Sequence, residues 1–217
     1  MRAAIVRSDL ILLVADKNIE FAMRGTLARH QALNIRSPRF VIYVHPERDP
    51  GCLRKANTFL RPHGSAYQHA LVVFDRSGCG KDDLPRAALE REVEQALTNA
   101  GWAARACAIV VDPELENWVW GDSPRVDQVL GWAGRLPLRA WLRQNGYCAA
   151  MEKPARPKEA MEAALRVVGK ARSASVFRAL AESVSLERCT DPAFAKLRRT
   201  LRAWFPVSRN RPATSGA

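Results

Sequence analysis

Four short apolar runs punctuate the first half of the chain. They are Leu10 to Ala15, Phe40 to Val44, Ala70 to Phe74 and Cys107 to Val111. None alternates with polar residues, so each reads as a strand buried on both faces, the habit of a parallel sheet. Polar stretches with helical spacing lie between them. Glu20 to His30 carries Phe21, Ala22, Met23 and Leu27, and predicts a helix. Asp83 to Ala100 predicts a second, with Leu89, Val93, Ala96, Leu97 and Ala100 on one stripe and Gly101 as its cap. Residues 45 to 69 hold three prolines and two glycines and read as a long loop, with one short helix around Arg54 to Leu60. After the fourth run, Asp112 reads as a helix N-cap with Pro113 at the first helical position.

The resulting β-α-β-β-α-β-α order predicts an α/β fold: an open, mainly parallel, Rossmann-like sheet flanked by helices. From Ser123 the strand pattern stops. Pro124, Pro137, Pro157 and Pro192 each stand where a helix can begin, so 123–206 reads as a basic helical extension of four or five short helices. Residues 207–217 are polar, rich in Arg, Pro, Ser and Gly, and read as a disordered tail.

The longest apolar runs are far too short to cross a bilayer, so no membrane partner is expected. The N-terminal stretch has no small-residue cleavage site and does not read as a secretory signal. Five widely spaced cysteines form no C-x-x-C pair. That excludes a zinc ribbon or disulfide framework and suits a reduced, cytoplasmic protein.

Charge changes this picture. The net charge is +12, and residues 151 to 217 hold 14 Lys/Arg against 6 Asp/Glu. An excess concentrated in one third of the chain suits a polyanion, and nucleic acid is the simplest. The contacts are expected at Arg166, Lys170, Arg172, Lys196, Arg198, Arg199 and Arg202.

Candidate chemistry gathers where strands end. Asp16, Asp75 and Asp112 each follow an apolar run, and ligands of open α/β sheets bind beyond the carboxyl ends of the strands. Glu20 and Glu116 follow Asp16 and Asp112 by four residues and could reach the same rim. Clustered carboxylates suit Mg²⁺ or Mn²⁺, the hard ions of phosphoryl transfer. The turn Arg76-Ser-Gly-Cys-Gly80 is not a P-loop, because Asp75 and Asp82 occupy its first and last positions and would repel phosphate. It is not a nucleophile elbow either, with Asp75 and Cys79 where glycines are needed. Gly78 and Gly80 are expected to supply positive φ close to a ligand or metal. The four histidines lack metal-ligand spacing and read as loop or surface residues; the six tryptophans read as packing residues.

The strings Leu71-Val-Val-Phe-Asp75-Arg-Ser-Gly-Cys-Gly80 and Ile109-Val-Val-Asp-Pro-Glu-Leu-Glu-Asn-Trp118 resemble a Toprim-like branch found in bacterial defence islands. Glu152-Lys-Pro154, Asp191-Pro-Ala-Phe194 and Trp204-Phe205 extend the likeness over nearly the whole chain. It is similar to a component of the methylation-associated defence system. The resemblance implies a Toprim-like domain over 1–122 and Mg²⁺-dependent phosphodiester chemistry in antiviral defence, together with other proteins of the system. It implies Asp16 and Glu20 as the first acidic pair, Asp75 as the first acid of an Asp-x-Asp type motif, and Asp112, Glu114 and Glu116 as a third patch. Asp16, Glu20 and Asp75 would be catalytic, and all six would serve the metal. Two departures stand out: Asp16 replaces the usual glutamate, and Ser77 stands where the motif has its second acid. The expectations are therefore a metal-dependent nuclease or, alternatively, a non-catalytic subunit that binds nucleic acid or a partner. A nucleotide-binding enzyme is the third class, and the lack of any Gly-x-Gly-x-x-Gly or Walker signature counts against it.

Overall fold

The computed structural model describes residues 7–121, 123–132, 136–149 and 152–207. Each apolar run forms a strand: β1 (Ser8–Val14), β2 (Phe40–Val44), β3 (Tyr67–Asp75) and β4 (Ala106–Val111). They make one sheet in the order β2-β1-β3-β4, and every pairing is parallel. β1 is central, and Leu10 to Val14 have no exposed surface at all. That explains the unbroken apolar run, since neither face of β1 meets water.

The crossovers are α1 (Lys17–Ala28) with the short α2 (His30–Leu33), then α3 (Arg48–Leu60), then α4 (Arg86–Leu97). Because β2 lies on one side of β1 and β3 and β4 on the other, right-handed crossovers put α1 on one face and α3 and α4 on the opposite face. Accordingly α3 packs on α4, and α1 does not. Three crossovers leave half of the α1 face uncovered.

The C-terminal helices supply that cover. They are α5 (Glu116–Val119), α6 (Arg125–Leu130), α7 (Leu138–Gln144), α8 (Pro157–Val167), α9 (Ala174–Ser183) and α10 (Pro192–Trp204). Each of the four prolines stands at a helix start or just before it, as its missing N–H allows. α9 packs on α1, and α10 lies along β4. Gly25 permits the α1–α9 contact: a Cβ there would come within 2.9 Å of both the Ala181 methyl and the Arg178 carbonyl oxygen. The apolar core runs without a break from Leu10 in β1 to Phe205 after α10. Trp102 and Trp120 are buried in it, each donating its indole N–H to a carbonyl, Leu60 and Pro157 respectively.

Two expectations need correcting. The segment read as a long loop contains the 13-residue helix α3, which starts at Arg48 rather than Arg54 and takes Pro50 in its first turn. The helix after β4 starts at Glu116, so Asp112 caps no helix. One of the C-terminal cations is held inside the fold. β4 is an edge strand, yet its outward amides are occupied: Ala108 N–H donates to Glu94 at 3.0 Å and Val110 N–H to Glu90 at 3.2 Å. Lys196 of α10 bridges these two carboxylates at 2.6 and 3.2 Å. Residues 208–217, the bulk of the expected disordered tail, lie outside the described residues. Among the described residues no helix is long and apolar enough to cross a membrane.

The Lys196 bridge makes a testable statement about stability. Lys196→Met should lower unfolding stability by about 1–3 kcal/mol in urea denaturation, because it leaves buried Glu90 without part of its compensation.

Candidate functional site

Parallel pairing brings the three strand-end aspartates to one edge of the sheet. Asp16 follows β1, Asp75 ends β3 and Asp112 follows β4, with β3 and β4 in register at Asp75 and Val111. Asp16 also caps α1, its Oδ1 accepting from the Ile19 N–H at 2.9 Å. A fourth aspartate joins them. Asp49, in the first turn of α3, accepts the Asp75 backbone N–H at 2.8 Å.

Asp16, Asp49 and Asp75 line a cleft of ≈ 650 Å³ at the point where the strand order reverses between β1 and β3. Asp16, Asp49, Asp75, Glu114 and Glu116 bring carboxylates to it; Lys17, Arg48, Lys158 and Arg172 bring cations; Ser77, Gly78 and His45 complete the wall. Glu114 accepts the Lys158 backbone N–H at 2.9 Å. Glu116, only 1% exposed, is held by the Arg172 guanidinium, whose Nε lies 2.8 Å away.

Two of the expected acids are engaged elsewhere and do not line the cleft. Glu20, though buried, sits between Lys17 at 2.7 Å and Arg24 at 2.8 Å of the same helix. Asp112 is bound by Arg76 at 2.7 Å. In each case a nearby cation satisfies the carboxylate and turns it from the cleft. Gly78 and Gly80 do have positive φ, +82° and +89°. Their N–H groups point at an internal anion, donating to the Asp82 carboxylate at 2.8 and 3.2 Å. The turn is an anion nest already filled by its own side chain.

The cleft carboxylates are poorly compensated. Burial holds Asp75 well above the ordinary carboxylate range, and the charges of Asp49, Glu116 and Asp16 push it further; only the Leu115 N–H opposes. Its Oδ1 is buried without any hydrogen-bond partner. Burial also raises Asp49, against the Asp75 N–H it accepts, and Asp16 adds to the rise. Glu114 is raised by burial too, with Glu116 contributing.

No family model, curated protein or solved structure matches the chain. What the site can do therefore rests on its own chemistry. Among the described residues, no group of three His, Cys, Asp or Glu side chains is assembled to hold a metal ion. The donors nevertheless fit a hard divalent cation: they are all oxygen, mutually repelling, and one buried carboxylate oxygen lacks a partner. Mg²⁺ keeps several waters and needs only one or two carboxylates plus substrate phosphates.

The seven residues expected to contact nucleic acid differ in their surroundings. Arg172 alone of the seven lines the cleft. Lys196 is bound to Glu90 and Glu94, while Arg198 and Arg202 donate to the Leu186 and Leu33 carbonyls. Lys170 is exposed and donates to the Val129 carbonyl at 2.6 Å; Arg166 and Arg199 are exposed. The residues missed from sequence were Asp49, His45, Arg48, Lys17 and Lys158. An acid beside a proline in a helical first turn was the available signal for Asp49. His45, read as a loop or surface histidine, is 4% exposed.

Repulsion at this site should be visible in stability. A carboxyl with a raised folded-state pKa destabilises the fold above that pKa, and the penalty vanishes below the unfolded value. Asp75→Asn should therefore stabilise the protein by about 0.5–2 kcal/mol at neutral pH. The gain should disappear in acid, as measured by thermal unfolding across a pH series.

Proposed function

We propose that this protein is a Toprim-like, divalent-cation-dependent component of a bacterial antiviral defence system, acting on the phosphodiester backbone of nucleic acid. The observation that carries this reading is Asp75: a buried, unpartnered carboxylate oxygen among Asp16 and Asp49, in a cleft rimmed by cations. Uncompensated acids beside Lys17, Arg48, Lys158 and Arg172 suit a cation and a phosphate ester bound side by side. Asp75 and Asp49, with Asp16, would hold Mg²⁺ or Mn²⁺. When bound, such an ion polarises a phosphoryl oxygen and activates water. The chain's own part is to orient the phosphate with the rim cations and to keep Asp75 desolvated and available. The defence role rests on the resemblance of the β3 and β4 strings and of the C-terminal motifs. Five free cysteines suit a cytoplasmic setting.

Ser77 supports a second reading, a non-catalytic subunit that binds nucleic acid or a partner protein. It lines the cleft without charge, so the isolated chain has fewer carboxylates for a metal than the motif it resembles. Weak metal binding and little cleavage are expected without partner proteins, whose acids or substrate phosphates would complete the shell.

Mn²⁺ titration by calorimetry and a phage-protection assay together test this. Weak binding by the wild-type chain should fall at least about tenfold in Asp75→Ala, with phage protection lost and the folded fraction unchanged. Protection that survives Asp75→Ala while gel shifts persist in low salt would establish the binding subunit. Robust Mg²⁺-dependent cleavage by the purified chain alone would remove the requirement for partners.

A further inference from the structure

His45 leaves β2 at the same sheet edge as Asp16, its backbone N–H donating to the Val14 carbonyl at 2.8 Å. The ring is 4% exposed and packs against Phe59, with centroids 5.6 Å apart. It also lines the cleft. Its Nδ1 accepts the Glu47 backbone N–H at 3.0 Å. An acceptor nitrogen carries no proton, so the neutral ring must carry its proton on Nε2. Nε2 has no protein partner among the described residues.

The chain makes room for this orientation at a cost. Gly51 lies within α3, where glycine is less favourable than alanine by about 1 kcal/mol. A Cβ at Gly51 would lie 2.0 Å from Nδ1 and 2.3 Å from Cε1 of His45. Any larger residue would displace the ring and break the Glu47 contact. A break in a local sequence rule that fixes a buried polar group in a cleft is the pattern of a functional position.

The charge state matters as well. Burial lowers the His45 pKa, Lys55 adds to the lowering, and Glu47 opposes it. A cationic ring would neutralise the neighbouring acids and compete with a metal ion. A neutral N–H donor leaves their charge available and still supplies one directed hydrogen bond.

We propose that His45 contacts the ligand of the cleft, presenting a neutral Nε2–H to a phosphoryl oxygen of a bound phosphate ester, and that Gly51 is the residue that positions it. The proposal rests on the phosphodiester reading of the cleft. An oxygen that only accepts matches a nitrogen that here only donates, and Lys17 and Arg48 line the same cleft to meet the remaining phosphate charge.

Nitrogen-15 NMR of the full chain tests it, with thymidine 5′-monophosphate and MgCl₂ as the probe. The free protein should show His45 as the Nε2–H tautomer, and the nucleotide should shift that N–H signal. His45→Phe keeps the ring volume without the donor and should weaken nucleotide binding about tenfold. His45→Gln should recover part of the loss. Gly51→Ala, which keeps the histidine, should weaken binding as His45→Phe does. An Nδ1–H tautomer, or His45→Phe binding as tightly as wild type, overturns the His45 proposal and leaves the cleft reading standing. A wild-type chain that binds no nucleotide with Mg²⁺ removes both. Should His45→Phe fail to fold, nucleotide binding by wild type with the Nε2–H signal unmoved overturns the proposal by itself.

Discussion

Parallel pairing of a fully buried central strand is the constraint from which the remaining structure follows. β1 can lie between β2 and β3 only if both its faces are covered, so the crossovers must pass on opposite sides. Parallel strands also release all their exits at one rim. Asp16, His45, Asp75 and Asp112 leave the sheet at one edge for that reason, although they are spread along the chain from residue 16 to residue 112: register alone decides their meeting. The uncovered half of the α1 face then requires α9 and α10, which ties the C-terminal third to the same core.

The carboxylates at that rim fall into two kinds. Glu20, Asp112 and Glu116 are each bound by a cation of the same chain, and they contribute to the fold as ordinary ion pairs. Asp49 and Asp75 are crowded, desolvated and given only backbone N–H groups as partners. An amide at either position would remove the repulsion at no cost in volume. As acids they place an energetic burden at the cleft that a bound cation would relieve.

The fold was largely legible in the sequence because doubly buried strands leave continuous apolar runs and helix-starting prolines mark their own positions. The site was legible only in part. Strand exits announced Asp16 and Asp75, since register is a consequence of pairing. Asp49 and His45 were hidden in a stretch whose three prolines and two glycines imitate a loop; Pro50 serves instead as a helical first-turn residue, and Gly51 as room for a side chain. Glu20 and Asp112 failed for a different reason. Spacing puts an acid near a rim, but whether a neighbouring Arg24 or Arg76 captures it depends on rotamers that no spacing encodes. Net charge is equally silent about placement: Lys196 is paired with Glu90 and Glu94, whereas Arg198 and Arg202 donate to carbonyls and keep their positive charge.

The occupied edge of β4 has a consequence for how this molecule meets others. A strand whose outward amides already donate to Glu90 and Glu94 offers no template for a foreign strand, so the sheet cannot be extended there into a dimer or a fibril. Association through β4 would first have to dislodge two carboxylates and the lysine between them. The ion cluster thus shields this edge of the folded sheet from strand pairing once α10 has docked and brought Lys196 to the two carboxylates.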